Sequence, residues 1–251
     1  MEVSQYMKEK ETIEYLDLKH LVPFQNHPFK LRNGEEKEQL LKSIKTQGTI
    51  EPLIVRPLSE SEYEVISGHR RLKICKELGI KKIPVIVRNL TDEQAVSMMV
   101  DANLHRNNIL PSERAFAYKM KWEAAKKSEK TLSQPATRMR NDDVIAQSFG
   151  IGKDTLHRYI RLTYLIPELL EMVDKGRIAL TPAVELSYLT HEEQHLLLNE
   201  IKYADATPSL SQAQRLRGIS RQGRLTADVI FAVMSEEKAN QKEQIRFPKE
   251  E

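Results

Sequence analysis

Tyr63-Glu64-Val65-Ile66-Ser67-Gly68-His69-Arg70-Arg71-Leu72-Lys73 changes its period in mid-run, and that change decides the fold of the first part of the chain. From Tyr63 to Ile66 the residues alternate as a half-buried strand does. Gly68 breaks the alternation. From Arg70 to Leu78 the apolar positions Leu72, Cys75 and Leu78 recur at helical spacing, and Gly79 supplies a helix stop. Two cations in a first helical turn oppose the helix dipole, at a cost of about some tenths of a kcal/mol each. A phosphate at the helix N-terminus, held by free amides and guanidinium groups, would offset that cost. The bland alternative is that one arginine pairs with a carboxylate at the core edge and the other is solvated.

The same alternation of signals continues on both sides. Ile13–Leu16, Pro52–Arg56 and Pro84–Val87 have strand patterns, whereas Glu36–Gln47 carries Leu40, Leu41 and Ile44 at helical spacing before Gly48. Thr91-Asp92-Glu93-Gln94 matches a capping box opening a helix to about Leu104. A small mixed α/β domain over residues 1–108 follows from this order. Strand signals end at Pro111. Ser112 is read as the cap of a helix to about Lys127, and the polar, Pro135-containing stretch Ser128–Arg140 as a mobile loop. Helices then follow to the C-terminus, including segments Glu192–Ile201, Ser211–Gln222 and one capped by Thr226. The expected class is therefore α+β: the mixed domain, a helical domain over 109–205, and a helical segment with a charged tail over 206–251.

Within the helical part, residues 141–162 (N-D-D-V-I-A-Q-S-F-G-I-G-K-D-T-L-H-R-Y-I-R-L) fit a helix-turn-helix from about Asp142 to Leu162. Ala146 stands where two helices cross, and Gly150 supplies the left-handed turn. Ile145, Phe149, Ile151, Leu156 and Ile160 form a small core. Asp142 and Asp154 lie near the helix starts, where anions suit the dipole. The outer face of the second helix then carries Lys153, Asp154, Thr155, His157, Arg158 and Arg161, a set suited to phosphates and base edges in a major groove. The alternative is an ordinary helical hairpin with a solvated basic face. Charge supports the DNA reading: Ser112–Leu165 holds 11 Lys and Arg against 6 Asp and Glu, while the whole chain is only +3.

Composition closes off other classes. One cysteine, Cys75, leaves no disulfide framework or cysteine zinc cage, and it sits on an apolar helix face as a small core residue. No apolar run approaches the length of a membrane span, and the polar start Met1–Glu11 matches neither a signal nor a transit peptide, so a cytoplasmic setting is expected. His191-Glu192-Glu193-Gln194-His195 spells a zinc-protease motif, but a Thr190 cap would put His191 in an exposed first turn with no third ligand in view.

The order of P-L-I-V-R-P (52–57), Y-E-V-I-S-G-H-R-R-L-K (63–73), I-P-V-I-V-R (83–88), D-A-N-L-H-R-N-N-I-L-P-S-E-R-A (101–115) and the helix-turn-helix resembles the ParB family of chromosome and plasmid partition proteins, over roughly Tyr15–Leu189. The resemblance is nearest to plasmid and mobile-element members. It implies a nucleotide-binding N-terminal domain using CTP with Mg²⁺, a clamp on double-stranded DNA, weak DNA-stimulated CTPase activity, homodimerisation on DNA, a partition ATPase as partner, no membrane, and a bacterial nucleoid or plasmid as location. By position it assigns Gly68, Arg70 and Arg71 to the phosphates, with His69 of the same turn counted among the nucleotide-binding residues, Asn103 and Arg106 to a second phosphate and metal motif, and Lys30 and Arg32 to the first nucleotide motif. This chain departs from the pattern at His69 and Ala102, where the family has glutamates, and in the short helices of 208–239. Two other readings stay open: a repressor or DNA-organising protein without productive CTP hydrolysis, and a nuclease or phosphotransferase built on the N-terminal domain.

Overall fold

Five short strands share one mixed sheet at the start of the chain: β1 (Ile13–Asp17), β2 (Leu21–Pro23), β3 (Leu53–Pro57), β4 (Tyr63–Ser67) and β5 (Lys82–Val87), in the order β1-β5-β3-β4-β2. β1 and β5 are antiparallel, as are β3 and β4, while β3–β5 and β2–β4 are parallel. The computed structural model describes residues 12–29, 34–48, 51–104, 106, 109–131 and 138–236. By contact density the chain divides into two compact units, Met1–Ile109 with Ala117–Ile145, and Leu110–Phe116 with Ala146–Glu251.

In the first unit, helices α1 (Glu35–Gln47) and α2 (His69–Glu77) cover one face of the sheet. Leu53, Val55, Val65, Ile83 and Val85 alternate inward along three strands and meet Ile44 of α1 and Leu72, Ile74 and Cys75 of α2. Helix α3 (Asp92–Leu104) packs against β4, where Ile66 lies on the face opposite Val65. On that face Arg56 pairs with Glu64 on the neighbouring strand at 2.7 Å and with Asp92 in the first turn of α3 at 2.7 Å. Burial opposes the Arg56 charge, but its hydrogen bonds to Asp92 and Glu64 outweigh this and raise its pKa. The Thr91–Gln94 capping box forms in both directions.

Residues 128–131 end the long helix α4 (Pro111–Thr131) and 138–140 open α5 (Arg138–Ser148), where the sequence predicts a loop over 128–140; residues 132–137 lie outside the described residues. The sequence over these residues carries no apolar period to signal a helix. Ser112 is not the cap. Pro111 opens α4, the Leu110 amide is bound by the Glu113 carboxylate at 2.9 Å, and Ser112 gives both its amide and its hydroxyl to Asp174 at 2.9 and 2.5 Å. Asp142, expected near a helix start, is the fifth residue of α5 and accepts the Trp122 indole N–H at 2.8 Å.

The second unit is helical: α6 (Lys153–Leu162), α7 (Pro167–Asp174), α8 (Leu180–Leu186), α9 (His191–Ala204), α10 (Leu210–Ser220) and α11 (Ala227–Met234). One apolar cluster runs through it, from Leu162 and Leu169 to Ile201, Leu216, Ile230 and Val233, so α10 and α11 share the core of the preceding helices. Thr190 and Ser209 each complete a capping box, and Thr226 caps α11. The fully buried Gln194 side chain binds the Ile166 amide and the Tyr164 and Leu189 carbonyls, joining α9 to the turn before α7. His191 and His195 are exposed, and among the described residues no cluster of three metal-ligating side chains forms. No described helix is long and apolar enough to cross a membrane.

Candidate functional site

Gly68 sits between β4 and α2 with φ +100°, and a Cβ there would come within 2.8 Å of the Leu53 side chain. Only glycine satisfies both demands, and the result is a helix start laid directly against the sheet. No side chain caps α2, and no acidic residue lies in its first turn. Its leading amides therefore lack intrahelical partners, and the positive end of its dipole is unopposed.

A cleft of about 400 Å³ opens beside this helix start. Pro23, Phe29 and Leu72 give it apolar walls, His27 and His69 an imidazole floor, and Arg70, Lys73, Lys76 and Arg106 a cationic rim. Arg70, Lys73 and Lys76 recur every third residue of α2 and so share one side of the helix. The His27 and His69 rings lie 3.8 Å apart. The His69 Nε2 accepts the Phe24 amide N–H at 3.3 Å, and a further hydrogen bond joins the ring to the Val65 backbone. Burial, then the charges of His27 and Arg106, push the His69 pKa down to about 3. The ring is neutral at ordinary pH.

The two arginines of the turn part company. Arg70 lines the cleft, whereas Arg71 donates to the Glu51 and Pro52 carbonyls at 2.5 and 3.1 Å and pairs with the Glu51 carboxylate at 3.3 Å. Burial lowers the Arg71 pKa, against the pull of Glu51. For Arg71 the bland alternative is what the geometry supports. Asn103 lies beneath the surface, 3% exposed, with its amide donating to the Met99 carbonyl at 2.7 Å. Lys30 and Arg32 lie outside the described residues. Sequence reasoning passed over His27, Lys73 and Lys76; the three-residue spacing from Arg70 was the signal for the lysines.

Such a cleft suits a polyphosphate: cations on the rim, free amides at a helix start and apolar walls. It does not suit a hard divalent cation, because none of the lining side chains carries an oxygen. The carboxylate of Asp101, next to the Ala102 departure, is taken by Lys121 at 2.7 Å and Ser97 at 3.2 Å.

The second constellation is the pair α5 and α6, joined by a four-residue turn. Gly150 there has φ +67°, and the Ile151 and Gly150 amides close on the Ala146 and Gln147 carbonyls. Ala146, Leu156 and Ile160 are buried. Lys153, Asp154 and Thr155 occupy the first turn of α6, with Asp154 exposed; His157 is half-buried on the next turn. Arg158 and Arg161 are not simply outward. Arg158 donates to Thr181 at 2.6 Å, while Arg161 donates to the Ser187 hydroxyl and carbonyl at 3.1 and 2.6 Å and lies over the Tyr164 and Tyr188 rings. Arg217 stacks on the same Tyr188 ring at 3.6 Å and pairs with Glu185. The Arg158 and Arg161 contacts hold α6 against α8, and those of Arg217 hold α10 there.

The ParB N-terminal domain model matches residues 2–104. A nucleoid occlusion protein from a Geobacillus strain is 32% identical over 195 residues, 77% of this chain and 65% of that one. The chromosome-partitioning protein Spo0J of Thermus thermophilus is 30% identical over 202 residues, 80% of this chain and 69% of that one. A solved pNOB8-like ParB N-domain, 16% identical, overlays 96% of this chain and 99% of its own with a TM-score of 0.51, a likeness of fold. The chain spans 52–65% of the length of three nucleoid occlusion proteins that it matches. With the sheet, the glycine turn before α2 and the long match to Spo0J taken together, the chain belongs to the ParB family.

Proposed function

We propose that this chain is a sequence-specific DNA-binding protein of partition or nucleoid occlusion type, whose grip on DNA responds to a nucleoside triphosphate, CTP in the family's pattern. The observation that carries this reading is the cleft: a cationic rim around the uncapped start of α2. The triphosphate would lie against the α2 amides with Arg70, Lys73, Lys76 and Arg106 around it, and the base would pack on the apolar wall of Phe29 and Leu72. His69 holds the Phe24 backbone in place as one wall of the cleft. The first turn of α6, with Lys153, Asp154 and Thr155, reads the duplex, and Arg158 and Arg161 position that helix against α8. Homodimerisation on DNA and a partition ATPase as partner belong to the same proposal. Boundaries at residues 108 and 205 between nucleotide, DNA-binding and C-terminal parts remain part of it.

A second reading is favoured by one observation, the absence of any oxygen-bearing side chain among the described residues lining the cleft: a DNA-organising protein or repressor that binds the nucleotide without turning it over. One experiment separates the two. CTP binding and hydrolysis are measured on the full chain with and without duplex from its own gene neighbourhood. DNA-stimulated turnover supports the first reading, and binding without turnover supports the second. DNA binding with no CTP binding at all would remove the nucleotide from both.

A further inference from the structure

We infer that the cleft takes its nucleotide without a divalent cation, Arg70, Lys73, Lys76 and Arg106 supplying the positive charge that a metal ion would otherwise bring. This rests on the nucleotide reading above and narrows it.

The donor set is the first ground. Magnesium is held by near-octahedral oxygens, commonly one or two carboxylates together with the phosphates. Among the described residues that line this cleft, the side chains offer nitrogen and carbon only. The imidazoles are no substitute, since nitrogen suits softer metals than magnesium. The His69 ring is committed as well, to the Phe24 amide on one side and the Val65 backbone on the other.

The second ground is what the adjacent motif does with its own oxygens. Ala102 contributes none, and Asp101 is bound by Lys121 and Ser97. Asn103 keeps one buried carbonyl oxygen without a partner among the described residues. A single neutral oxygen is less than the one or two carboxylates that commonly hold magnesium beside phosphate and water oxygens. The stretches 30–33, 105 and 107–108, which lie outside the described residues, contain no Asp or Glu in sequence.

The third ground is charge balance. A nucleoside triphosphate is strongly anionic at neutral pH, and the cations Arg70, Lys73, Lys76 and Arg106 all line this cleft. Among the described residues no carboxylate pairs with Lys73 or Lys76, both of which are exposed on the rim. Neutralisation by surface cations also carries a signature, because it weakens as salt screens them.

The test is calorimetric titration of the full chain with CTP, once with magnesium chloride and once with excess EDTA, on the wild type and on Lys73→Ala/Lys76→Ala. Affinities in the two buffers within about threefold of each other are expected, with the double variant about tenfold or more weaker in EDTA and its melting temperature unchanged. Binding that needs magnesium would overturn this inference and leave the nucleotide reading standing. Binding in neither buffer would overturn both. Magnesium-independent binding that the double variant leaves intact would overturn the assignment of the neutralising charge.

Discussion

The imidazole of His69 accepts the backbone N–H of Phe24 at 3.3 Å, so a neutral ring pins the segment after β2 to the start of α2. Protonating Nε2 would destroy the acceptor. With a folded pKa of about 3 against 6.5 unfolded, the unfolded chain takes up the proton first. This contribution to stability is present above pH 6.5 and is lost as pH falls from 6.5 towards 3. The loss is at most about 1.4 kcal/mol per pH unit, less whatever solvent screens from a partly exposed ring. Urea unfolding at pH 7 and pH 5 should show the wild type losing about 1–2 kcal/mol more than His69→Gln. Equal losses would mean that the folded ring titrates normally.

Gly68→Ala combines a left-handed backbone with a Cβ driven into the buried Leu53 side chain. Destabilisation of about 2–3 kcal/mol is expected by chemical denaturation, from strain and overpacking together. A change under about 0.5 kcal/mol would mean that the turn relaxes freely.

Arg161 and Lys153 should fail differently. Arg161→Ala removes the hydrogen bonds to Ser187 and the stacking on Tyr188, so it is expected to cost about 1–3 kcal/mol of stability as well as DNA affinity. Lys153→Ala should leave the melting temperature unchanged while lowering the salt slope of DNA binding by about one. Binding by Lys153→Ala with an unaltered slope would take that residue off the interface.

Gln194→Leu tests the buried junction of the second unit. Leucine fits the volume but strands the Ile166 amide and the Tyr164 and Leu189 carbonyls. Thermal or urea unfolding should show a loss of about 2–4 kcal/mol.

What could be read from sequence followed from strong local chemistry. The capping residues Thr91, Thr190 and Thr226 and the left-handed Gly48, Gly68, Gly79 and Gly150 all stand where their types predict. β2 was missed because three residues ending in proline carry no period, and its parallel pairing with β4 is a tertiary event. The extent of α4 and the start of α5 were missed because the sequence there shows no apolar stripe. Arg70 and Arg71 are adjacent letters with opposite directions, and only the position of Glu51 tells them apart. Asp154 of α6 is exposed and Lys153 half-buried, whereas α8 claims Arg158 and Arg161, a contact that no spacing rule reveals.

The proposed nucleotide-responsive grip on DNA is tested most directly by retention of the full chain on a duplex from its own gene neighbourhood, both ends blocked, followed by interferometry with and without CTP. CTP is expected to raise the amount of protein retained, and Arg70→Ala to abolish that rise while still binding DNA. Retention that is the same with and without CTP would contradict a nucleotide-responsive grip on DNA.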